Sequence, residues 1–273
     1  MESPKGYITS NEVQKCKILP IIKEFSENLK DVRGKCMDIG CGPGDITKDF
    51  LLPNLGSDAQ IIGTDISESM IKYANKTFND EKRLHFEVLD IQTKNLPEKY
   101  ISEFNNIFSF HTLHWCNDIR QAFRNMYQML RPNGTILLYI IASSDMFEVY
   151  KILERDIRFA QYIPDTMKNI FPFHYSNNAR EDLKELLQSV GFTIHHCSLR
   201  EANYSEEKLR QFLNSIISLL TFLEDMPQDL MEEFKNTFTC EFLRRKINYK
   251  SIYNNQELTL DLYEVLVVYA QKI

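Results

Sequence analysis

The run Asp38-Ile39-Gly40-Cys41-Gly42-Pro43-Gly44 limits what this chain can fold into more than any other feature. It follows a short segment, Lys35 to Ile39, that reads as a buried β-strand. Glycine at alternate positions lets the backbone turn sharply and approach a ligand with no Cβ in the way. A helix then begins, and its first N–H groups have no partner within the helix. Strand, glycine turn and helix in that order open a parallel α/β sheet, which binds ligands beyond the carboxyl ends of its strands.

The turn differs from that of a dinucleotide enzyme. Counted from Gly40, G-x-G-x-x-G requires glycine at 45, where the sequence has Asp45. Carboxylates at 38 and 45 repel a pyrophosphate, whereas a ligand carrying an ammonium and a sulfonium tolerates or prefers them. Asp65 ends the second predicted strand, Ile61 to Thr64, about twenty residues after the glycines, where a carboxylate can accept both hydroxyls of a ribose and Ile66 faces the adenine. Asp90, at the tip of the third strand (Leu84 to Leu89), can take the adenine amino group while Leu89 and Ile91 pack on the ring. Read singly, each is a tight turn or a loop cap; order and spacing together carry the argument.

Periodicity organises the rest. Apolar residues recur at helical spacing from Val13 to Leu29, as one amphipathic helix or a helix pair broken at Pro20. Ser67 reads as the N-cap of a helix, Asn106 to Phe110 as a fourth strand, and Thr135 to Ile141 as a fifth entered through the turn Pro132-Asn133-Gly134. Further on come a helix from Asn178 to Val190 with a capping box at Asn178 and Glu181 and a C-cap at Gly191, then strands Phe192 to Leu199 and Leu258 to Ala270. No repeat or linker divides the chain, so residues 1–273 read as a single domain. Two helical stretches, about 144–177 and 203–256, interrupt the sheet and suit a cap over the ligand mouth.

Net charge of -6 argues against a nucleic-acid partner. Six scattered cysteines suggest neither a disulfide framework nor a zinc site. No leader and no membrane-spanning stretch is evident, so cytoplasm is the expected location and membrane insertion is not expected. Eighteen Phe and thirteen Tyr leave room for an apolar pocket beyond what the core needs. His111 and His114 lack carboxylate or cysteine neighbours at ligand spacing, so no metal is expected. Monomer or homodimer is left open.

In the D-x-G-x-G-x-G form of its turn and the order of Asp65 and Asp90, the first half of the chain resembles the class I S-adenosylmethionine methyltransferases. The resemblance implies a Rossmann-like α/β fold: a seven-stranded, mostly parallel sheet with helices on both faces and an antiparallel last strand. It also implies S-adenosylmethionine as cofactor, held by Asp38, Gly40, Gly42, Gly44, Asp65, Ile66, Asp90, Ile91 and Ser109. The segment after the fourth strand, Ser109 to Trp115, has neither the Pro-Pro-Tyr type sequence of many nucleobase amine methyltransferases nor a catalytic cysteine motif, which points to a small-molecule acceptor.

With Leu113-His114-Trp115 there, Gln14 in the N-terminal helix and the two helical stretches, the whole chain is similar to insect juvenile hormone acid methyltransferases. That similarity implies an apolar carboxylic acid, juvenile hormone acid or farnesoic acid, as acceptor. Gln14 and Trp115 would then hold the acid as the catalytic pair, with His114 as a further pocket donor or a base. A carboxylic acid of pKa about 4 to 5 is ionised at neutral pH and needs no general base. Read without the similarity, Trp115 equally suits packing and Gln14 a solvated helix face. Another small acceptor, or ligand binding without catalysis, then stays open.

Overall fold

A computed structural model of the chain describes residues 7–8, 11–168, 170–250 and 257–273. Segments 1–6 and 251–256, the second inside the expected second insertion, lie outside the described residues.

Among the described residues, β1 (Lys35–Ile39), β2 (Gln60–Asp65), β3 (Leu84–Val88), β4 (Phe104–Phe110), β5 (Leu130–Ser143), β6 (Phe192–Ser205), β7 (Ile247–Lys250) and β8 (Glu257–Lys272) form one eight-stranded sheet. Its order is β3-β2-β1-β4-β5-β8-β6, with β7 paired to β8 off this path. Neighbours from β3 to β5 are parallel, and β8 runs antiparallel to β5 and β6. The seven expected strands and the antiparallel last one are therefore present. Short, wholly exposed β7 is an addition that no buried apolar pattern announces.

Helices α1 (Glu12–Glu24), α2 (Glu68–Thr77), α3 (Ile119–Met129) and α5 (Ala179–Val190) flank the sheet, while α4 (Asp145–Arg155), α6 (Glu206–Leu219) and α7 (Gln228–Arg244) belong to the two inserted stretches. On one face Ile18, Ile22 and Phe25 join Phe108, Tyr139 and the inserted aromatics Phe147, Phe234 and Phe238. On the other, Phe123, Met126, Leu183 and Leu187 pack against Ile39, Ile107 and Leu138. Alternate side chains of one strand thus feed two cores, which is why these strands read as unbroken apolar runs. Among the described residues no helix is long and apolar enough to cross a membrane.

Several expectations change. Helix α1 continues through Pro20 and breaks at Phe25, before a last turn Ser26–Leu29. A proline within a helix costs about 3 kcal/mol. The stripe Ile18, Ile21, Ile22, Phe25 and Leu29 is at most 7% exposed, and each such side chain gains roughly 1.5–3 kcal/mol on burial, so packing wins.

Strand β5 starts early because Leu130 already pairs with Phe104; the Pro132-Asn133-Gly134 turn is a bulge within it before Asn106 meets Thr135. Strands β6 and β8 outrun the sheet, pairing from Phe192 with Lys272 out to Ser205 with Leu260. The second insertion is therefore entered along a strand and contains β7. The capping signals divide: Ser67 accepts from Met70 N and Gly191 is left-handed, but Asn178 makes no side-chain cap.

Candidate functional site

The carboxyl ends of β1, β2 and β4 converge, and the glycine turn is pinned there, with Gly40 N and Cys41 N both donating to Thr64 O at 2.7 and 2.9 Å. Gly40, Gly42 and Gly44 all have positive φ (72°, 54° and 84°), yet each is glycine for a different neighbour. A Cβ at Gly40 would lie 2.0 Å from Thr112 Oγ1, and one at Gly44 would lie 2.7 Å from Phe86. At Gly42 the nearest atom, Tyr7 Cε1, is 3.8 Å away, so this glycine leaves its space to the pocket.

Two carboxylates, one opening this turn and one packed against it from the end of β2, have no ion-pair partner among the described residues. Asp38, 3% exposed, accepts from Thr47 Oγ1 at 2.6 Å, and burial pushes it up to about 7. Asp65 accepts Gly42 N on one oxygen and Ser67 N on the other, both at 2.9 Å, and burial still raises its pKa. Asp45 differs: Asn11 Nδ2 and Lys15 Nζ, both on or next to α1, reach its Oδ2 at 2.9 Å.

Gln14, Asp38, Gly40, Gly42, Asp45 and His111 line one pocket. Buried around it with no hydrogen-bond partner among the described residues are Gln14 Oε1, Asp45 Oδ1, Asn11 Oδ1 and His111 Nε2. Three are oxygen acceptors beside two uncompensated carboxyls. Their complement is a positively charged ligand rich in N–H donors, and the ammonium and sulfonium of the expected methyl donor fit.

Other predicted residues take different places. Asp90 is half-buried and turns Oδ1 onto Gln92 N at 2.9 Å. Ile66 stands 67% exposed just past the end of β2. Ile91 is buried in the core beside α3, its carbonyl accepting from Asn125 Nδ2 at 2.7 Å. Ser109 is fully buried, and its hydroxyl is occupied in donating to Ile39 O at 2.9 Å, tying β4 to β1.

After β4 the chain kinks at His111, whose φ of 56° is left-handed for a non-glycine residue. The kink brings Thr112 onto the turn, where its hydroxyl donates to Gly40 O at 3.2 Å. A single helical turn, Leu113–Trp115, follows. His114 is 1% exposed with Nδ1 unpartnered among the described residues, and its ring lies 5.5 Å from Trp115 and 5.8 Å from Phe147. Half-buried Trp115 meets Phe171 edge-on at 5.4 Å, and Phe171 stacks on Phe147 at 3.7 Å. Burial lowers both histidines, His111 to about 3 and His114 well below its ordinary value, so both are neutral at physiological pH.

Gln14, 3% exposed, reaches across to the second insertion and donates through Nε2 to Ser215 Oγ at 2.8 Å. The structure thus gathers Gln14 with the glycine turn, while His114 and Trp115 stand against the aromatics of the first insertion. Asn11, Thr112 and Ser215 escaped the sequence reading. A signal for the first existed: Asn11, Gln14 and Lys15 are polar at spacings of three and four beside an apolar helical stripe, which places them together.

A methyltransferase-domain family profile matches residues 37–136. The chain is 34% identical over 277 residues to the juvenile hormone acid O-methyltransferase of Drosophila melanogaster, covering all of this chain and 93% of that protein. It is 29% identical over 281 residues to the Bombyx mori protein of the same name, covering all of this chain and 98% of that one. Haemonchus contortus phosphoethanolamine N-methyltransferase 2, solved in complex with S-adenosyl-L-methionine, shares the fold with a TM-score of 0.54 at 16% identity, covering 99% of this chain and 57% of that chain.

Proposed function

The chain belongs to the class I S-adenosylmethionine-dependent methyltransferases, and from that premise we propose that it esterifies the carboxylate of a sesquiterpenoid acid, juvenile hormone acid or farnesoic acid. The observation that carries this reading is the similarity, over the whole chain, to two insect juvenile hormone acid O-methyltransferases, and the state of the two histidines after β4 agrees with it. With one pushed down to about 3 and the other well below its ordinary value, neither is an effective base for an alcohol, a phenol or an ammonium. An acid that arrives ionised needs none. The stacked pair Phe147 and Phe171, against which Trp115 packs, adds apolar surface next to Trp115 of the kind a terpenoid chain needs.

S-adenosylmethionine, when bound, supplies a methyl group activated by its sulfonium. Asp65 would hold the ribose and the Gly42 turn would let the ligand approach, while Asp38 and the free Asp45 oxygen offer negative potential to its charges. Asp90, Ile66 and Ile91 remain proposals for the adenine side, and Ser109 acts on the cofactor by fixing the end of β1. On the acceptor side the Gln14 amide and the Trp115 indole N–H are neutral donors. They orient a carboxylate without blunting its nucleophilicity as a cationic clamp would. Orientation of this kind lowers a bimolecular barrier by roughly 7–11 kcal/mol. Aromatic side chains of the insertions hold the terpenoid chain and keep water out.

The test is incubation of the purified protein with methyl-labelled cofactor and farnesoic or juvenile hormone acid. A base-labile methyl ester is the expected product. Turnover of amines or phenols with no turnover of any fatty or terpenoid acid refutes the reading.

A further inference from the structure

Gln14 and Ser215 are separated by 201 positions, and their side chains meet in a buried hydrogen bond of 2.8 Å that joins α1 to the cap helix α6. Ser215 is fully buried and Gln14 is 3% exposed, so neither group has water to fall back on. In the arrangement described, Gln14 Nε2 donates to the serine while Oε1, buried and unpartnered among the described residues, belongs to the pocket beside the glycine turn. That orientation offers an acceptor to the pocket. A carboxylate needs a donor.

A serine hydroxyl both donates and accepts. If the amide turns over, Ser215 Oγ–H donates to Oε1 and the buried bond survives, with the Nε2–H groups now presented to the pocket. Alanine at 215 supports neither orientation, and a carboxylate, which only accepts, or a lysine, which only donates, would favour one. We propose that Ser215 is a positioning residue for the acceptor acid: it holds the Gln14 amide in either of its two orientations, so that a bound carboxylate selects the donor-outward one at no loss of a buried hydrogen bond. This rests on the carboxylate reading above and adds to it a residue from the cap.

The experiment is a double-mutant cycle in the full chain with farnesoic acid: wild type, Ser215→Ala, Gln14→Ala and the double variant, with Ser215→Thr as the conservative partner. Loss of one uncharged hydrogen bond, about 1 kcal/mol, corresponds to roughly a fivefold change. Ser215→Ala is expected to lower kcat/KM for the acid about five- to tenfold, chiefly through KM, while cofactor affinity measured by calorimetry stays within twofold. In the Gln14→Ala background the same substitution should change kcat/KM less than twofold, and Ser215→Thr should recover most of the wild-type value.

A merely structural serine gives the opposite pattern. Equal losses in both backgrounds, loss of cofactor affinity with acid KM unchanged, or no recovery with threonine while alanine is impaired each overturns the proposal. A wild-type protein that turns over no acid refutes the carboxylate reading itself, and that result is reached before any variant is made. If Ser215→Ala fails to fold, Ser215→Cys, which keeps the volume and offers only a weak donor, takes its place in the cycle with the same expected pattern.

Discussion

Replacing Asp38 by Asn tests whether the glycine turn stores an unneutralised charge for its ligand. In the folded chain burial pushes this carboxyl up to about 7, with the Thr47 hydroxyl opposing the rise. In the unfolded chain it ionises near about 3.9. Below about pH 4 both states keep the proton and the residue is neutral in the balance. Between about pH 4 and 7 the unfolded state releases a proton that the folded state retains, so stability falls as pH rises. Above about pH 7 the full penalty is present, about 4 kcal/mol for a rise of roughly three pH units.

An asparagine keeps the acceptor for Thr47 and cannot ionise. Urea unfolding of the ligand-free protein at pH 5 and pH 8 should therefore show wild type losing about 2–3 kcal/mol relative to Asp38→Asn over that interval. A cationic ligand reverses the penalty. Cofactor binding near pH 7 should release a fraction of a proton from wild type and none from this site in the variant, read by calorimetry in buffers of different ionisation enthalpy. Parallel stability profiles for the two proteins, together with equal proton release, refute the reasoning.

Asp65→Ala removes a half-buried carboxylate that already binds the turn through Gly42 N, and cofactor affinity should fall about ten- to a hundredfold by calorimetry. Trp115→Phe should keep cofactor affinity within twofold and lower turnover of the acid; weakened cofactor binding in that variant contradicts its place on the acceptor side. Asp261→Ala leaves Lys246, whose side chain is 1% exposed, with Asp145 as its remaining carboxylate at 2.7 Å. Stability should drop by about 3 kcal/mol in chemical denaturation, and a loss under about 1 kcal/mol counts against a buried charge at that junction.

The frame was legible because its inner strands are largely buried, so β1, β2 and β4 appear as short apolar runs ending in turn chemistry. Local rules left Pro20 undecided, where a buried stripe outweighed a proline, and misjudged the start of β5, where a bulge carries the turn inside the strand. They also stopped β6 at Leu199, because beyond it the strand continues on pairing with β8 and not on burial of an apolar face.

The proposed donor side of the site is built from residues close in sequence, and so Asp38, the glycines and Asp65 could be read in order. What completes it comes from far away. Asn11 meets Asp45 across 34 positions and Gln14 meets Ser215 across 201, and neither leaves a local period. Ser109 shows the reverse case. Its position at the end of β4 suggested ligand contact, yet its hydroxyl faces a neighbouring strand. Strand alternation tells which face a side chain takes, but not which partner claims it.

The placing of β8 has a consequence for how the molecule assembles. It follows every other strand in sequence yet lies between β5 and β6, so β6 has no seat until the later strand arrives. Strands β3, β2, β1, β4 and β5 can zip together early through parallel crossovers, leaving the edge of β5 open. The wait is long in chain terms, and contacts of such separation slow folding and expose an unpaired edge meanwhile. Destabilising substitutions in β8 should thus reveal themselves first as aggregation during refolding, before any effect on the finished enzyme is measurable.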